Sequence, residues 1–384
     1  MNANLRRPDR VFKAVQLANG AERIEQYDFL QRLQLVEEPD GSTLRYVYDG
    51  NGELHRLEHS GGESVHYSRT GDAMRACTAR VESEVRFDAQ HFPTHMIYRI
   101  DGHEWRVDYR RDAQGRVLAI RYPNSAEWLR LGNIISCGSQ RYAQLEAPHI
   151  RFANGVTSTE QWIEFEISTD AADDATGEKN DIAQRRLQRI AHTDLAGEAA
   201  VDQHYAYDDH GRVTRAGEQQ FAYDADGHLC ACDSVHYEFN AQRCLTKAGD
   251  TAFSYSDAPH IMQAGNVRFD YDALGRRCAR YDDSGTQEYR YNLFGQLASV
   301  TLADGSCVNY LYDGFGRLVG RESAQGIIYY IVDFDGHRIA DCAADGAVLR
   351  SYLWLGSVCI GVVDGVCGGP LSQSFHRVHG GAKP

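Results

Sequence analysis

Short runs of alternating apolar and polar residues fill most of the chain, and clusters of turn-forming residues cut them at near-regular intervals. Over the last quarter the cuts are glycines: Gly275, Gly285, Gly295, Gly305, Gly316, Gly326, Gly336, Gly346 and Gly356, spaced by ten with one step of eleven. Between them lie runs of six or seven residues rich in Tyr, Val, Ile and Arg. Such runs are the length of a strand, and a strand of about six residues plus a turn of about four is the unit of an antiparallel meander. The period therefore predicts an all-β, repetitive fold of about thirty short strands.

A seven-residue frame carries the period: aromatic, Asp, two variable positions, Gly, Arg, apolar. Tyr207-Asp208-Asp-His-Gly211-Arg212-Val213 fits it fully. Tyr223-Asp224-Ala-Asp-Gly227-His-Leu229, Tyr271-Asp272-Ala-Leu-Gly275-Arg276-Arg277 and Tyr312-Asp313-Gly-Phe-Gly316-Arg317-Leu318 follow it. The frames at Tyr291, with Gly295, and at Val332, with Asp333 and Gly336, continue it. Phe239 to Leu245 and Tyr255 to Ile261 are degenerate copies, so the step is sixteen residues from 207 to 271 and about twenty beyond. Weaker copies start at Tyr27, Tyr48 (with Asp49 and Gly52), Tyr67 and Phe87, and Arg111 to Val117 has its aromatic displaced to Tyr109.

The frame has a physical logic. Asp accepts backbone N–H groups two residues on and starts a turn, while Gly supplies the positive φ a tight hairpin needs. The aromatic and the apolar residue six later then flank the turn and meet across the hairpin. Arg can lie over a Tyr ring or pair with Asp. The boundaries expected are an N-terminal lead-in over 1–20, degenerate repeats over 21–167, a repeat sheet over 187–362 and a flexible Gly-rich tail over 363–384. Ser168 to Asn180 is polar and acidic and reads as an exposed loop or insertion, placed at 168–186. Asp181 to Ala191 fits a short helix or a strand equally well.

Composition narrows the function classes. With 54 acidic against 40 basic residues the net charge is −14, which disfavours nucleic acid or an anionic membrane as partner. No stretch of about eighteen apolar residues occurs, so no membrane span is expected. The first ten residues lack the apolar core of a secretory signal. Ten cysteines show no paired framework and read as reduced thiols.

Candidate chemistry is sparse. Cys230 and Cys232 with His228 and His236 are zinc-donor types, and on one straight strand they would share a face. Such a strand spreads them over roughly 26 Å, too far for one ion. Asp170 to Asp174 lacks an ordered calcium loop, and His376 and His379 lie in the terminal Gly-rich stretch. No nucleophile elbow, phosphate loop or His-Glu-x-x-His occurs. No catalytic residue, cofactor or metal is expected.

The tandem frame resembles the YD repeat of the RHS (rearrangement hot spot) family over about residues 20–360. The resemblance implies a long β-sheet curling into a partial hollow β-cocoon. In bacterial members such a shell holds a toxic C-terminal domain until delivery, commonly through type VI secretion or insecticidal toxin complexes. It implies as partners a C-terminal toxin cargo or the remaining RHS core, with a secretion-apparatus protein or carbohydrate as further possibilities. Complete bacterial shells carry an Asp-Pro-x-x-Gly-Arg motif at which the chain cleaves itself, and no Asp-Pro dipeptide occurs here. The expectation is a non-catalytic, partial shell of a polymorphic toxin, cytoplasmic before export by a signal-less route. A carbohydrate- or surface-binding repeat module is the alternative, and a self-cleaving or glycan-acting enzyme a more remote one.

Overall fold

The computed structural model describes residues 11–126, 128–130, 149–151, 157–167, 182–193, 199–258, 260–292, 294–355, 358–365 and 375–376. The described residues form thirty-four strands and no helix. Twelve strands, from Val11–Gln16 to Leu129–Arg130, make one sheet, and twenty-two, from His149–Arg151 to Phe375–His376, make a second. Each strand neighbours the one before it in sequence, the meander that the period implied. The acidic stretch 168–180 and the tail residues 366–374 and 377–384, including His379, lie outside the described residues.

Residues Asp181 to Ala191, open to either reading, are strand: Ile182–Thr193 pairs with Thr157–Ile167. These two strands, of twelve and eleven residues, are longer than the six or seven expected. No Gly or Pro punctuates either run, so nothing ends the pairing early. The sixteen-residue step also has a structural cause. Its strands are four or five residues long, and two-residue turns such as Gly217-Glu218 and Asp233-Ser234 close them.

By contacts the chain divides into two compact units, Met1–Gly132 with Ala252–Pro384, and Asn133–Thr251. The first holds the core. There, Val65, Val81, Met96, Tyr98, Ile100, Trp105 and Val107 on the N-terminal sheet, and Val319, Ile331, Ile339, Ala340 and Cys342 on the later strands, are almost fully buried. In the second unit Ala231 is the one buried residue among those described from 202 to 251 whose exposure is known.

Candidate functional site: the repeat turns and their seat

The frames other than the weak copy at Tyr67 close their hairpins in much the same way. At Tyr207 to Val213, Asp208 N–H donates to the Arg212 carbonyl and Gly211 N–H to the Asp208 carbonyl, both at 2.9 Å. Asp208 Oδ1 accepts the His210 and Arg212 N–H groups at 3.0 and 2.9 Å, and Arg212 Nε reaches Asp208 Oδ2 at 2.6 Å. Gly211 has φ 82°. The same ties recur at Asp272 with Gly275 and Arg276, and at Asp313 with Gly316 and Arg317. Asp49 with Gly52, Asp224 with Gly227 and Asp333 with Gly336 keep the backbone part of the pattern. The aromatic and the residue six later are register partners in most frames: Tyr27 with Leu33, Tyr48 with Leu54, Tyr207 with Val213, Tyr223 with Leu229, Tyr312 with Leu318. A bulge falls just before each of these aromatics.

The frames are also tied to one another. Tyr48, Tyr223, Tyr271, Tyr291 and Tyr312 donate their hydroxyls to the carbonyls of Leu33, Val213, Ile261, Arg277 and Leu297, each the last frame residue of the repeat before. Trp354 Nε1 does the same to Arg338. Arg32, Arg212 and Arg276 lie over the rings of Tyr48, Tyr223 and Tyr291 at 4.7, 4.8 and 4.7 Å. Arg thus binds the Asp of its own turn and the ring of the next. This explains a second demand on Gly: a Cβ at Gly52 or Gly227 would stand 3.0 or 2.9 Å from the guanidinium of Arg32 or Arg212.

In the first unit several turns are seated on the N-terminal sheet. Phe315 packs on Leu57, Val65 and Ala76, and Tyr67 donates its hydroxyl to the Gly314 carbonyl at 3.0 Å. Ser83 Oγ donates to Asp313 Oδ2 at 3.0 Å. Tyr98 OH binds the Val332 carbonyl, Phe334 N–H donates to Tyr109 OH, Trp105 Nε1 binds the Gly346 carbonyl and Tyr122 OH that of Tyr352, at 2.9 to 3.2 Å. Sequence separations across this seam stay between 221 and 254 residues, from Met96–Arg317 to Asn19–Ala273. The two stretches therefore advance in the same sense along each other. Tyr67, expected to start a weak frame copy, instead lies inside the strand Ser64–Thr70 and pairs with Ala76. Tyr98 and Trp105 on strands and Tyr122 just after one bear no local mark, and sequence reasoning missed the seam role of all four.

Burial sets the electrostatics. Asp313 is fully buried and Asp333 nearly so, whereas Asp224 is exposed. Arg317 neutralises Asp313 through two contacts, at 2.6 and 2.9 Å. Asp333 has His337 instead, Nδ1 at 3.1 Å, and burial raises its carboxyl above the usual range. Burial also pushes the Tyr98 and Tyr109 hydroxyls well up, so both stay neutral donors or acceptors. On the opposite sheet face the buried Glu84 meets Arg86, Arg75 and Arg99 at 2.6, 3.0 and 3.3 Å. Burial alone would raise its carboxyl, but hydrogen bonds from those three guanidiniums win and bring it down to about 2.

The donor set considered for zinc is not brought together. The turn at Asp233-Ser234 reverses the chain, so His236 stands opposite Ala231 and on the other face from Cys232. A straight strand would have kept them on one side; the hairpin does not. Among the described residues, donors do converge in Asp224-Asp226-His228 and Asp333-Asp335-His337, within 4.8 Å. Both are frames in which His replaces Arg. Arg243 Nη1 already stands 2.5 Å from His228 Nδ1, and Asp333 holds His337. An open depression lined by Gln26, Arg32, Arg45, Tyr46 and Tyr48 among others has a volume of about 380 Å³, and its lining gathers no nucleophile–base pair.

The Teneurin YD-shell family model matches residues 190–287 and 247–334. A Tc holotoxin pore from Photorhabdus luminescens, in a TccC3-mutant form, superposes with a TM-score of 0.46 at 10% identity, over 96% of this chain and 25% of that one. The TcdB2-TccC3 crystal structure gives 0.35 at 11% identity, over 93% and 21%. A porin-like protein from Bacteroides uniformis gives 0.12 at 10%, over 82% and 94%. The chain spans a quarter or less of the length of the two toxin chains, and at these scores none of the three likenesses bears on function.

Proposed function

Because the chain is a YD-repeat protein of the RHS kind, we propose that it is a structural wall segment of a toxin-enclosing shell and not an enzyme. The supporting observation is that the frame spends its reactive groups on itself. Its Asp caps its own turn, its Arg binds that Asp and the next ring, and its Tyr binds the preceding carbonyl. Such a unit can be repeated along a sheet with its own Asp, Arg and Tyr side chains already engaged. The same economy speaks against a sugar-stacking module, since guanidiniums cover the rings of Tyr48, Tyr223 and Tyr291. The polymorphic-toxin setting, an origin in the cytoplasm and export by a type VI or other signal-less route belong to the same proposal.

The test is co-expression with the polypeptides encoded beside it. A toxin-domain partner should co-purify and resist a protease that digests it when free. Absence of any complex, or digestion at the free rate, would contradict the shell role.

A further inference from the structure

The open depression on the N-terminal sheet, about 380 Å³ in volume, lies at the small end of the range for small-molecule sites. Register sets Gln26 opposite Leu35 and Leu35 opposite Arg45, so the three side chains share one face across three adjacent strands. Gln26 and Arg45 thus flank Leu35, their backbones about 10 Å apart. Two features set this row apart from the repeat frames. Gln26 is only 8% exposed, yet its side-chain amide has no hydrogen-bonding partner among the described residues. Neither amide atom is sealed in the core, so the group opens into the depression that it lines. An amide held there has given up much of its hydration with no bond in return. Arg45 is exposed and makes no ion pair, because Glu58, directly across the ladder, stands 2.9 Å from Arg56 Nε instead. The other charges of the lining are spent. Arg32 binds Asp28 and covers the Tyr48 ring, and Asp49 accepts the Asn51 and Glu53 N–H groups. Two guanidiniums face one carboxylate in the lining, in a chain whose net charge is −14.

We propose that this depression binds a short-chain dicarboxylate, one carboxylate on Arg45, the other at the Gln26 amide and the hydrocarbon stem over Leu35 and Val47. A guanidinium without an ion pair offers a carboxylate two parallel N–H donors. Gln26 Nε2 donates to the second carboxylate and so fills the bond that the fold leaves open. The two polar anchors flank an apolar residue, which selects a ligand with polar ends and a short apolar middle. The Tyr48 ring is covered by Arg32 and its hydroxyl is bound to the Leu33 carbonyl, so neither competes for the ligand.

Isothermal titration calorimetry of the full chain with glutarate at low salt tests it. Saturable one-to-one binding is expected, with Kd on the order of 1 mM. Arg45→Gln, at an exposed position, and Gln26→Leu should each weaken it at least about tenfold. Gln26→Leu should melt no earlier than the parent without ligand, because it removes a buried amide that the fold does not pair. A Gln26 that merely holds the sheet together would melt earlier when replaced. Glutaramide, the uncharged diamide, and inorganic phosphate, which has no stem, should each bind at least about tenfold more weakly than glutarate. No binding of glutarate at roughly tens of millimolar would overturn the proposal. So would glutaramide or phosphate equal to glutarate, binding unchanged in either variant, or earlier melting of Gln26→Leu.

Discussion

At the level of single residues the frame divides its labour clearly. Asp organises the turn, Arg links one turn to the next ring, and Gly both adopts a positive φ and leaves room for the guanidinium. The degenerate copies keep the geometry without the residue: Gln31 and His91 stand at φ 63° and 64° in the Gly position. A left-handed non-glycine costs about 1–2 kcal/mol, and glycine returns about 0.5–1 as chain entropy. Gln31→Gly and His91→Gly should therefore each stabilise the fold by up to about 1 kcal/mol in thermal or urea melts. The converse change, Gly295→Val at φ 73° in open space, should cost about 1–2 kcal/mol from backbone strain alone. Equal melting of these variants and the parent would remove the strain assignment. Most of this level was legible in the sequence, because Asp, Gly and the flanking aromatic act within seven residues of one another. The stacking of Arg212 on Tyr223 was not assigned to a ring in advance, since the partner belongs to the following repeat.

Among elements, register and packing matter more than ion pairs. Exposed turn pairs such as Arg116–Asp112 are screened by solvent, whereas each large buried seam side chain contributes about 1.5–3 kcal/mol. Glu84 is the exception, because it ties three adjacent strands through Arg75, Arg86 and Arg99. Its folded pKa, about 2, lies below the ordinary 4.5, so its contribution is complete above about pH 4.5. It is lost as pH falls through that window toward 2. Chemical denaturation across that window should show stability declining in the parent, with a shallower decline in Glu84→Gln. An unchanged acid limb in the variant would show that other carboxylates govern it. Strand existence was readable from the alternation, but strand length was not. The long pair at Thr157–Ile167 and Ile182–Thr193 arises where Gly and Pro punctuation is missing. The facing of Cys232 and His236 was misjudged for a related reason: a two-residue turn reverses the chain between them.

On the scale of the whole molecule, an array of nearly identical hairpins becomes a defined object only where it meets itself. The seam between residues 57–124 and 313–352 does this within the first unit, and its separations of 221 to 247 residues have no local trace in the sequence. Its tightest point is Gly314, where a Cβ would lie 2.6 Å from Ala76 Cβ and 2.7 Å from Val65 Cγ1. Gly314 does not have a positive φ, so enlarging it probes the seam and not the turn. Hydrogen exchange on Gly314→Val is the most direct measurement. If the repeat turns hold the two stretches together as one wall, exchange should quicken both in residues 313–352 and in the facing strands between Ser64 and Arg111. Residues 202–251 should keep the parent rate. Faster exchange confined to the altered turn would contradict the account.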